Sequence, residues 1–358
     1  MYNGRMLYHK EIILWLVFFS FGIGNLRSQD GSVFIYNFLN LNPSPNLSAL
    51  GGQNITNTSS ISNALVNPAL VTNEDSSAFA VSHAFYQADI QFTSFNYLLP
   101  LRYPLKIHVG VIRSDYGVLE GLNEYGMPIG SVNSNDNAIA LGVGKVFEDK
   151  LSVGLNLKFI QSKIGFDQSL GIATDVGFLY HKEKERFKLG ILFRNIGTPI
   201  STYGEMGKQE RLPFEIILGI SKRLKYVPVR FSLNYRYLNR WNIIMLGPAG
   251  ENRASLFGEE EPGGNSIIDN FFRHLSFGSE IMIGQKEQLQ LRLGYNHKVR
   301  RELGVSDYFS LSGFSFGFSV QLKKLVLDFS RSIYHLAGGT NQIGLRTNIK
   351  ELLRGGRR

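Results

Sequence analysis

The sequence contains no cysteine, which removes thiol nucleophiles, cysteine-held zinc, iron–sulfur clusters, disulfides and a lipid-modified N-terminal cysteine together. Charge is sparse, at 19% of residues. Long apolar runs are lacking as well. Only one run, from Ile12 to about Ile23, comes near the roughly 18 residues that a membrane-spanning helix needs. With a mean hydropathy of −0.07, the chain is not a polytopic helical membrane protein. The excess of nine positive charges builds no basic helix or patch, because Lys and Arg lie mostly in short turns and at the two ends. Nucleic acid is therefore not an expected partner. Aromatic residues (12%) and 38 glycines are abundant instead, too many for a disordered chain. The 358 residues would make two domains at about 150 residues each, a prior that all-β barrels routinely break.

The N-terminus reads as an export signal over residues 1–29. Arg5, His9 and Lys10 precede the apolar run, and polar Asn25, Arg27, Ser28, Gln29 and Asp30 follow it. About a dozen apolar residues suit a signal peptide better than a mature membrane anchor. Cleavage is expected between Gly24 and Gln29; an uncleaved anchor is the alternative. The rest of the chain is exported under either reading.

From about Ala78 onward the sequence alternates with period two. Leu151, Val153, Leu155, Leu157 and Phe159 alternate with Ser152, Gly154, Asn156 and Lys158. Phe314, Phe316, Phe318 and Val320 do so with Ser315, Gly317, Ser319 and Gln321. Such runs are strands with one apolar and one polar face. Some 14 of them are centred near residues 84, 96, 110, 141, 156, 174, 191, 218, 234, 279, 292, 317, 329 and 345. Each has the length that a tilted strand needs to cross a bilayer.

Alternation alone does not separate a membrane barrel from a soluble sandwich, but three further features do. The polar face is rich in Gly, Ser, Ala and Asn, with scattered charges at Lys158, Asp175, Arg194, Glu215, Arg230, Glu280, Arg292, Asp328 and Arg346. That composition suits a crowded lumen in which charges pair. Phe and Tyr dominate the apolar face and gather toward strand ends, as interfacial girdles require. Connections alternate in length: tight turns at 148–150, 181–186, 224–227, 285–287 and 323–324, and longer ones at 117–134, 197–211, 241–273, 298–310 and 335–339, with a short exception near 165–168. Short periplasmic turns and long extracellular loops follow this rule. The expected fold is all-β: a transmembrane antiparallel β-barrel of about 14 strands over residues 77–350. An even strand number returns both barrel ends to the periplasm and leaves no edge in lipid.

Residues 30–76 lie between signal and first strand and are read as an N-terminal plug in the lumen, a periplasmic arm being the alternative. They carry Pro43, Pro45, Pro68, Gly51 and Gly52, but keep Phe34, Phe38, Leu39, Leu41, Leu50, Leu65 and Leu70, which a disordered tail would not. Residues 351–358 form a basic tail.

No chemistry stands out. The seven histidines show no metal spacing, and there is no Gly-x-Ser-x-Gly elbow and no phosphate loop. The chain is expected not to be an enzyme and to hold no cofactor or metal. The most informative connection, 241–273, carries Trp241, Ile243, Ile244, Met245, Leu246, Phe257, Ile267, Ile268, Phe271 and Phe272. So many large apolar groups mark either a lid folded over the barrel mouth or a surface for a partner.

Several segments, in order, resemble the PorV/PorQ outer-membrane proteins of the type IX secretion system, relatives of the FadL-type fatty-acid transporters. They are Ala49-Leu50-Gly51-Gly52, Asn67-Pro68-Ala69-Leu70, Leu157-Lys158-Phe159, Arg194-Asn195-Ile196-Gly197-Thr198, Leu212-Pro213-Phe214-Glu215, Gly219 to Leu224, Phe272 to Glu280 and Gly338-Gly339-Thr340-Asn341. The resemblance implies a 14-stranded barrel with an N-terminal hatch, here Leu50, Gly51, Gly52, Asn67 and Pro68. It also implies a non-enzymatic component of the cell-surface attachment complex that anchors a PorZ-like surface protein, alongside PorU and PorV, in an outer membrane carrying lipopolysaccharide. The chain departs from the usual barrel pattern by ending on a basic tail after Ile349, with no aromatic strand residue.

Partner binding would then rest on Trp241, Phe257, Phe271, Phe272 and Arg273, helped by Arg300, Arg301 and Tyr308, since a few aromatic and arginine anchors carry most interface energy. The competing reading is a FadL-like passive transporter of a hydrophobic small molecule, which needs an apolar pocket in the lumen and a kinked or bulged strand. The charged, crowded polar face favours the scaffold.

Overall fold

A computed structural model describes residues 34–73, 77–101, 104–122, 125–203, 210–243, 267–303, 310–335 and 338–350. The export signal, the basic tail, Phe257 and Tyr308 lie outside the described residues.

Fourteen strands form one closed antiparallel barrel. They are β1 (Ala78–Phe85), β2 (Gln91–Leu98), β3 (Lys106–Leu122), β4 (Pro128–Phe147), β5 (Leu151–Ile164), β6 (Asp167–Lys182), β7 (Phe187–Pro199), β8 (Glu215–Arg223), β9 (Val229–Tyr235), β10 (Leu275–Ile283), β11 (Leu289–Asn296), β12 (Phe314–Leu322), β13 (Leu325–His335) and β14 (Gly338–Asn348). Every expected strand centre falls inside one of these. Consecutive strands pair throughout, and β1 closes the ring on β14 from Ala78↔Asn348 to Phe85↔Asn341.

Burial runs opposite to that of a water-soluble β protein. In β5, Leu155 and Phe159 point outward and are about half exposed, while Ser152, Asn156 and Lys158 point inward and are buried. The same outward set continues through Ile139, Leu141, Phe231, Leu293, Phe316, Phe318 and Ile343. A monomer in water rarely exposes a contiguous apolar patch beyond roughly 300–600 Å². A continuous outer apolar wall is stable only against lipid. This is an integral membrane barrel of the bacterial outer-membrane type.

One expected loop is not a loop. Residues 117–134 continue the ladder of β3 and β4 as far as Leu122↔Pro128, with register shifts between Asp115 and Val118 and between Gly121 and Leu122. Bulges let a hairpin project from a barrel rim without losing its pairing. The 241–273 and 298–310 connections instead carry short helices, α2 (Ile267–Arg273) and α3 (His297–Leu303).

Inside the barrel, residues 34–73 fold as short helical turns at Asn37–Asn40, Ile61–Leu65 and Pro68–Asn73, with a four-residue helix, α1, at Pro45–Ser48. Serines start two of them: Ser44 accepts from the Leu47 amide and Ser60 from the Ser62 amide, satisfying donors that a helix start leaves open. Their apolar side chains pack on inward-facing wall residues. Ile35, Phe38, Leu39 and Leu65 join Phe92, Ile112 and Ile160, and Leu47, Ile55 and Val66 join Leu192 and Ile217.

Candidate functional site

The inner segment is tied to the wall by hydrogen bonds around most of the ring. Ser82 of β1 and Ser94 of β2 both donate to the Pro43 carbonyl, at 2.7 and 2.5 Å. Asn96 donates to Ile61 (2.7 Å), Asn156 of β5 to Ala64 (2.9 Å), Asn296 of β11 to Gly51 (3.0 Å) and Gln342 of β14 to Asn42 (3.1 Å), each at a carbonyl. In the other direction, Ser48 donates to Gln342 (2.6 Å), the Gly51 amide to Ser315 of β12 (3.0 Å), the Ile55 amide to Asn234 of β9 (3.2 Å) and Asn57 to Glu280 of β10 (3.3 Å). Ser332 of β13 reaches the Ser48 carbonyl at 3.3 Å. On the far side, Lys188 of β7 donates to Thr58 at 2.5 Å, and Tyr36 meets Ser169 of β6 at 2.5 Å. Burial pushes the Tyr36 hydroxyl above its ordinary range, so it stays neutral in this contact. These bonds reach eleven strands: β1, β2, β5, β6, β7 and β9 to β14.

Inward glycines are where backbone meets backbone. A Cβ on Gly154 would lie 2.3–2.5 Å from three backbone atoms of Pro68 and Ala69, and one on Gly294 would lie 2.0 Å from the Gly51 nitrogen. Gly177 faces the Asn67 side chain. Asn67 is fully buried, donates to the Ile55 carbonyl at 2.8 Å and accepts from the Ala69 amide at 3.1 Å. It joins two turns of the segment. Gly51 itself adopts φ +82°, and a Cβ there would sit 2.8 Å from the Tyr295 carbonyl, so glycine is required on both counts. Leu50 packs above Gly278. Leu50, Gly51, Gly52, Asn67 and Pro68 thus all lie in the lumen.

The scattered lumen charges pair. Lys158 and Asp175 meet at 2.6 Å, both fully buried; Arg292 and Arg230 share Glu280 at 2.9 and 3.0 Å; Arg346 meets Asp328 at 2.9 Å. Glu215 takes Arg236, one residue beyond β9, as a two-pronged partner at 2.6 and 2.9 Å. Buried charges persist only when paired and hydrogen-bonded. Arg194 is bound otherwise, donating from Nη2 to the Leu39 carbonyl while its Nε and Nη1 are buried without a partner.

Beside these charges the wall bulges. Thr174 pairs with Ile196 and Val176 with Phe193, so the single residue Asp175 opposes two, Arg194 and Asn195. Asn195 takes φ +56°; its amide donates to Asp175 at 2.9 Å and its side chain to the Pro213 carbonyl at 3.2 Å. Lys158 also reaches Asn195, at 3.2 Å. The β8 ladder stops at Arg194↔Glu215, while β7 runs on to Pro199.

At the end of the barrel bearing the long connections, a cavity of about 130 Å³ opens between the inner segment and the wall. Asn40, Asn42, Ser48 and Gln53 line it from within, and Arg236, Asn296, Val299, Phe314, Ser315, Ser332, Ile333 and Tyr334 from the wall and α3. The side-chain oxygens of Asn40, Asn42 and Gln53 are buried and have no hydrogen-bond partner.

Outside the lumen, α2 and α3 meet over the rim. Asp269 accepts from Arg273 (2.7 Å), and His297 and Arg301 reach its other oxygen at 3.2 and 3.0 Å. Burial raises the Asp269 carboxyl, but Arg273, His297 and Arg301 outweigh it and hold the carboxyl below its ordinary value. Trp241 stacks on His274, and His274 on Tyr235. Phe271 and Phe272 touch edge to face and stay about two-fifths exposed, Trp241 about half. Arg273 is buried, and Arg300 donates to the Ser310 carbonyl. Of the expected partner-binding residues, the structure gathers Trp241, Phe271 and Phe272 as an exposed rim cluster, with Arg273 and Arg301 fastening the helices beneath it.

Sequence reasoning did not single out Asn40, Asn42, Gln53, Arg236 or Asp269. The last had a usable signal, since Ile267, Ile268, Phe271 and Phe272 recur at helical spacing. The others follow no period.

No protein-family model matches the chain, and no curated protein matches it by sequence. Solved structures do. The chain is similar to the Ralstonia pickettii toluene transporter TbuX, at 14% identity over 88% of this chain and 100% of that one, with a TM-score of 0.52. It is similar to the CymD monoaromatic hydrocarbon channel, at 15% identity over 88% and 97% of the two chains, TM-score 0.51. A Pseudomonas aeruginosa FadL homologue aligns over 86% of this chain and 98% of that one at 10% identity, TM-score 0.47. The chain therefore shares the barrel fold of TbuX and CymD.

Proposed function

We propose that this barrel is a passive, FadL-like transporter that admits a hydrophobic small molecule through the outer membrane, with the inner segment as its gate. The observation that carries this reading is the bulge opposite Asp175. A lumen filled by its own N-terminal segment offers no straight aqueous channel, so a cargo entering the long-loop end must leave sideways. A bulged strand whose upper part lacks one ladder partner is the place where a barrel wall opens at least cost. The fold shared with TbuX and CymD supports the reading: the former is a toluene transporter and the latter a monoaromatic hydrocarbon channel.

The test is uptake into vesicles with a lipopolysaccharide outer leaflet, which resists hydrophobic solutes. Vesicles holding the barrel should take up toluene several-fold faster than empty ones. Replacing Asn195 with a bulge-deleting one-residue gap should abolish the difference. Equal rates with and without the barrel would refute the transporter reading.

A second reading has its own observation, the exposed cluster of Phe271 and Phe272 on α2 with Trp241 beside them, carried by an ion-paired two-helix rim. It fits a scaffold that anchors a PorZ-like surface subunit of a type IX attachment complex, alongside PorU and PorV. Deleting residues 247–265 should then release a surface protein that otherwise co-purifies in stoichiometric amount; retention after the deletion would remove this reading.

A further inference from the structure

We propose that the outer wall at the short-turn end carries a binding site for the headgroup phosphate of an anionic inner-leaflet phospholipid, centred on Lys182 and Lys222. The proposal goes beyond both functional readings and depends on neither. It begins with the direction in which two lysines point. In β6 the even-numbered residues face outward, from Ile172 through Phe178 and Tyr180, and Lys182 ends that set. In β8, Ile216, Leu218 and Ile220 face outward, and Lys222 follows them. Both lysines therefore stand on the lipid side of the wall, unlike Lys158 and Arg292, which pair in the lumen.

Register sets their spacing. Lys182 pairs with Phe187, Phe187 with Lys222, and Lys222 with Phe231. One outward row thus alternates lysine and phenylalanine from β6 to β9. Two strand spacings separate the lysines, about 10 Å, a gap across which two flexible four-carbon stems converge on one phosphate. Leu189, Ile191 and Ile220 continue the apolar wall beside the row, where acyl chains lie. Lysines whose stems lie on apolar surface, set among aromatic rings, suit a bilayer interface.

Charge selects the headgroup. The two adjoining turns add Lys184, Arg186 and Lys225, all exposed, against two carboxylates, Glu183 and Glu185. Glu185 holds Lys182, and Arg223 holds Glu287 at 2.5 Å; neither pair neutralises Lys222, Lys184 or Lys225. Arg186 donates to the Leu224 and Lys225 carbonyls at 3.1 and 3.2 Å. That contact fastens one turn to the other and makes their cations a single surface. Such an excess favours an anionic lipid over a zwitterionic one, whose own ammonium it repels. A soluble acidic partner would need only the turn residues. The outward set of Lys182 and Lys222 ties the site to lipid.

Native mass spectrometry of the detergent-released, full exported chain tests the site with two lipids of identical tails. They are dioleoylphosphatidylglycerol and dioleoylphosphatidylethanolamine. The first should bind about tenfold more tightly, as two lysines near a lipid surface allow. Lys182→Gln/Lys222→Gln should remove that preference, and Lys182→Arg/Lys222→Arg, which keeps both charges, should retain it. Lys145→Gln/Lys323→Gln makes the same charge change at other exposed lysines of the short-turn end and should also retain it. A heat-dependent shift in gel mobility checks that each variant is a folded barrel. Equal binding of the two lipids, or a preference that survives Lys182→Gln/Lys222→Gln, would overturn the proposal. An equal loss in Lys145→Gln/Lys323→Gln would do so too, by making the effect one of total charge. Competition by glycerophosphate would overturn it by making the site one for a soluble anion.

Discussion

Adding one methyl group at Gly154 would strike the place where the inner segment lies hardest against the wall. A Cβ there would come within 2.5 Å of Pro68 and Ala69 backbone atoms, where carbon contacts are optimal at about 3.5–4.0 Å. Backbone cannot rotate away as a side chain can, so the segment must retreat by about 1 Å. Overpacking of this kind costs about 1–3 kcal/mol, which is a factor of about 5 to 150 in an opening equilibrium. Gly190→Ala is the internal control, because its Cβ would meet only the side-chain tips of Ile55 and Thr56 at 3.2 Å, and those can shift. Hydrogen exchange reads the effect. The amides of Val66, Asn67 and Leu70 bond to carbonyls of the same turns and exchange only when those turns open. Gly154→Ala should speed their exchange by about 5- to 150-fold, and Gly190→Ala by clearly less. Equal effects, or none at Gly154, would refute the claim that inward glycines are contact points for the inner segment.

The remaining predictions concern single interactions. Lys158→Met leaves the Asp175 carboxylate fully buried without its cation and should cost about 3–5 kcal/mol, seen as a lower unfolding temperature in detergent, with Lys158→Met/Asp175→Asn recovering part of the loss. Asn67→Ala strands the Ile55 carbonyl and should destabilise the inner segment by about 1–3 kcal/mol, detected as protease cleavage between residues 55 and 70 in an otherwise intact barrel. The Asp269 clasp should be pH-dependent. Its carboxyl is depressed in the folded rim, so its stabilising effect is complete above the ordinary carboxylate value of about 3.9 and is lost as pH falls through the lower folded value. Trp241 fluorescence in a Trp15→Phe background should therefore change below about pH 4 in the native chain and at no such point in Asp269→Asn.

Much of this molecule is legible along the chain because a barrel strand is a local pattern. Alternation of Leu155 and Phe159 with Asn156 and Lys158 states which side faces lipid, and β5 obeys it residue by residue. Composition also carried meaning: the inward glycines at 154, 177 and 294 are small because Pro68, Asn67 and Gly51 occupy the space. The paired charges were visible as a set, but their partners were not. Nothing at Glu280 announces that it serves Arg230 and Arg292 from two different neighbours, since pairing depends on register across strands. The cavity is less legible still. Asn40, Asn42 and Gln53 sit in aperiodic turns, and nothing in their spacing announces that they line it. The rim helices were hidden by habit, since a long connection between barrel strands is read as loop, although α2 carried a helical spacing and α3 has Lys298 and Glu302 at i and i+4.

The ring closes only when β14 pairs with β1, the last strand with the first. By then the inner segment has already been made, because it precedes β1 in the chain. Bonds from eleven strands converge on it, so it cannot enter a finished barrel without stripping water from dozens of polar groups on both sides. Pairing successive hairpins around a segment already in place avoids that cost, and the segment would then act as the mould on which they set. A chain stalled before its final strand would be left as an open sheet with its inner segment in place and one raw edge at each side of the gap. Such an intermediate is the form most exposed to proteolysis and to mispairing with a neighbour.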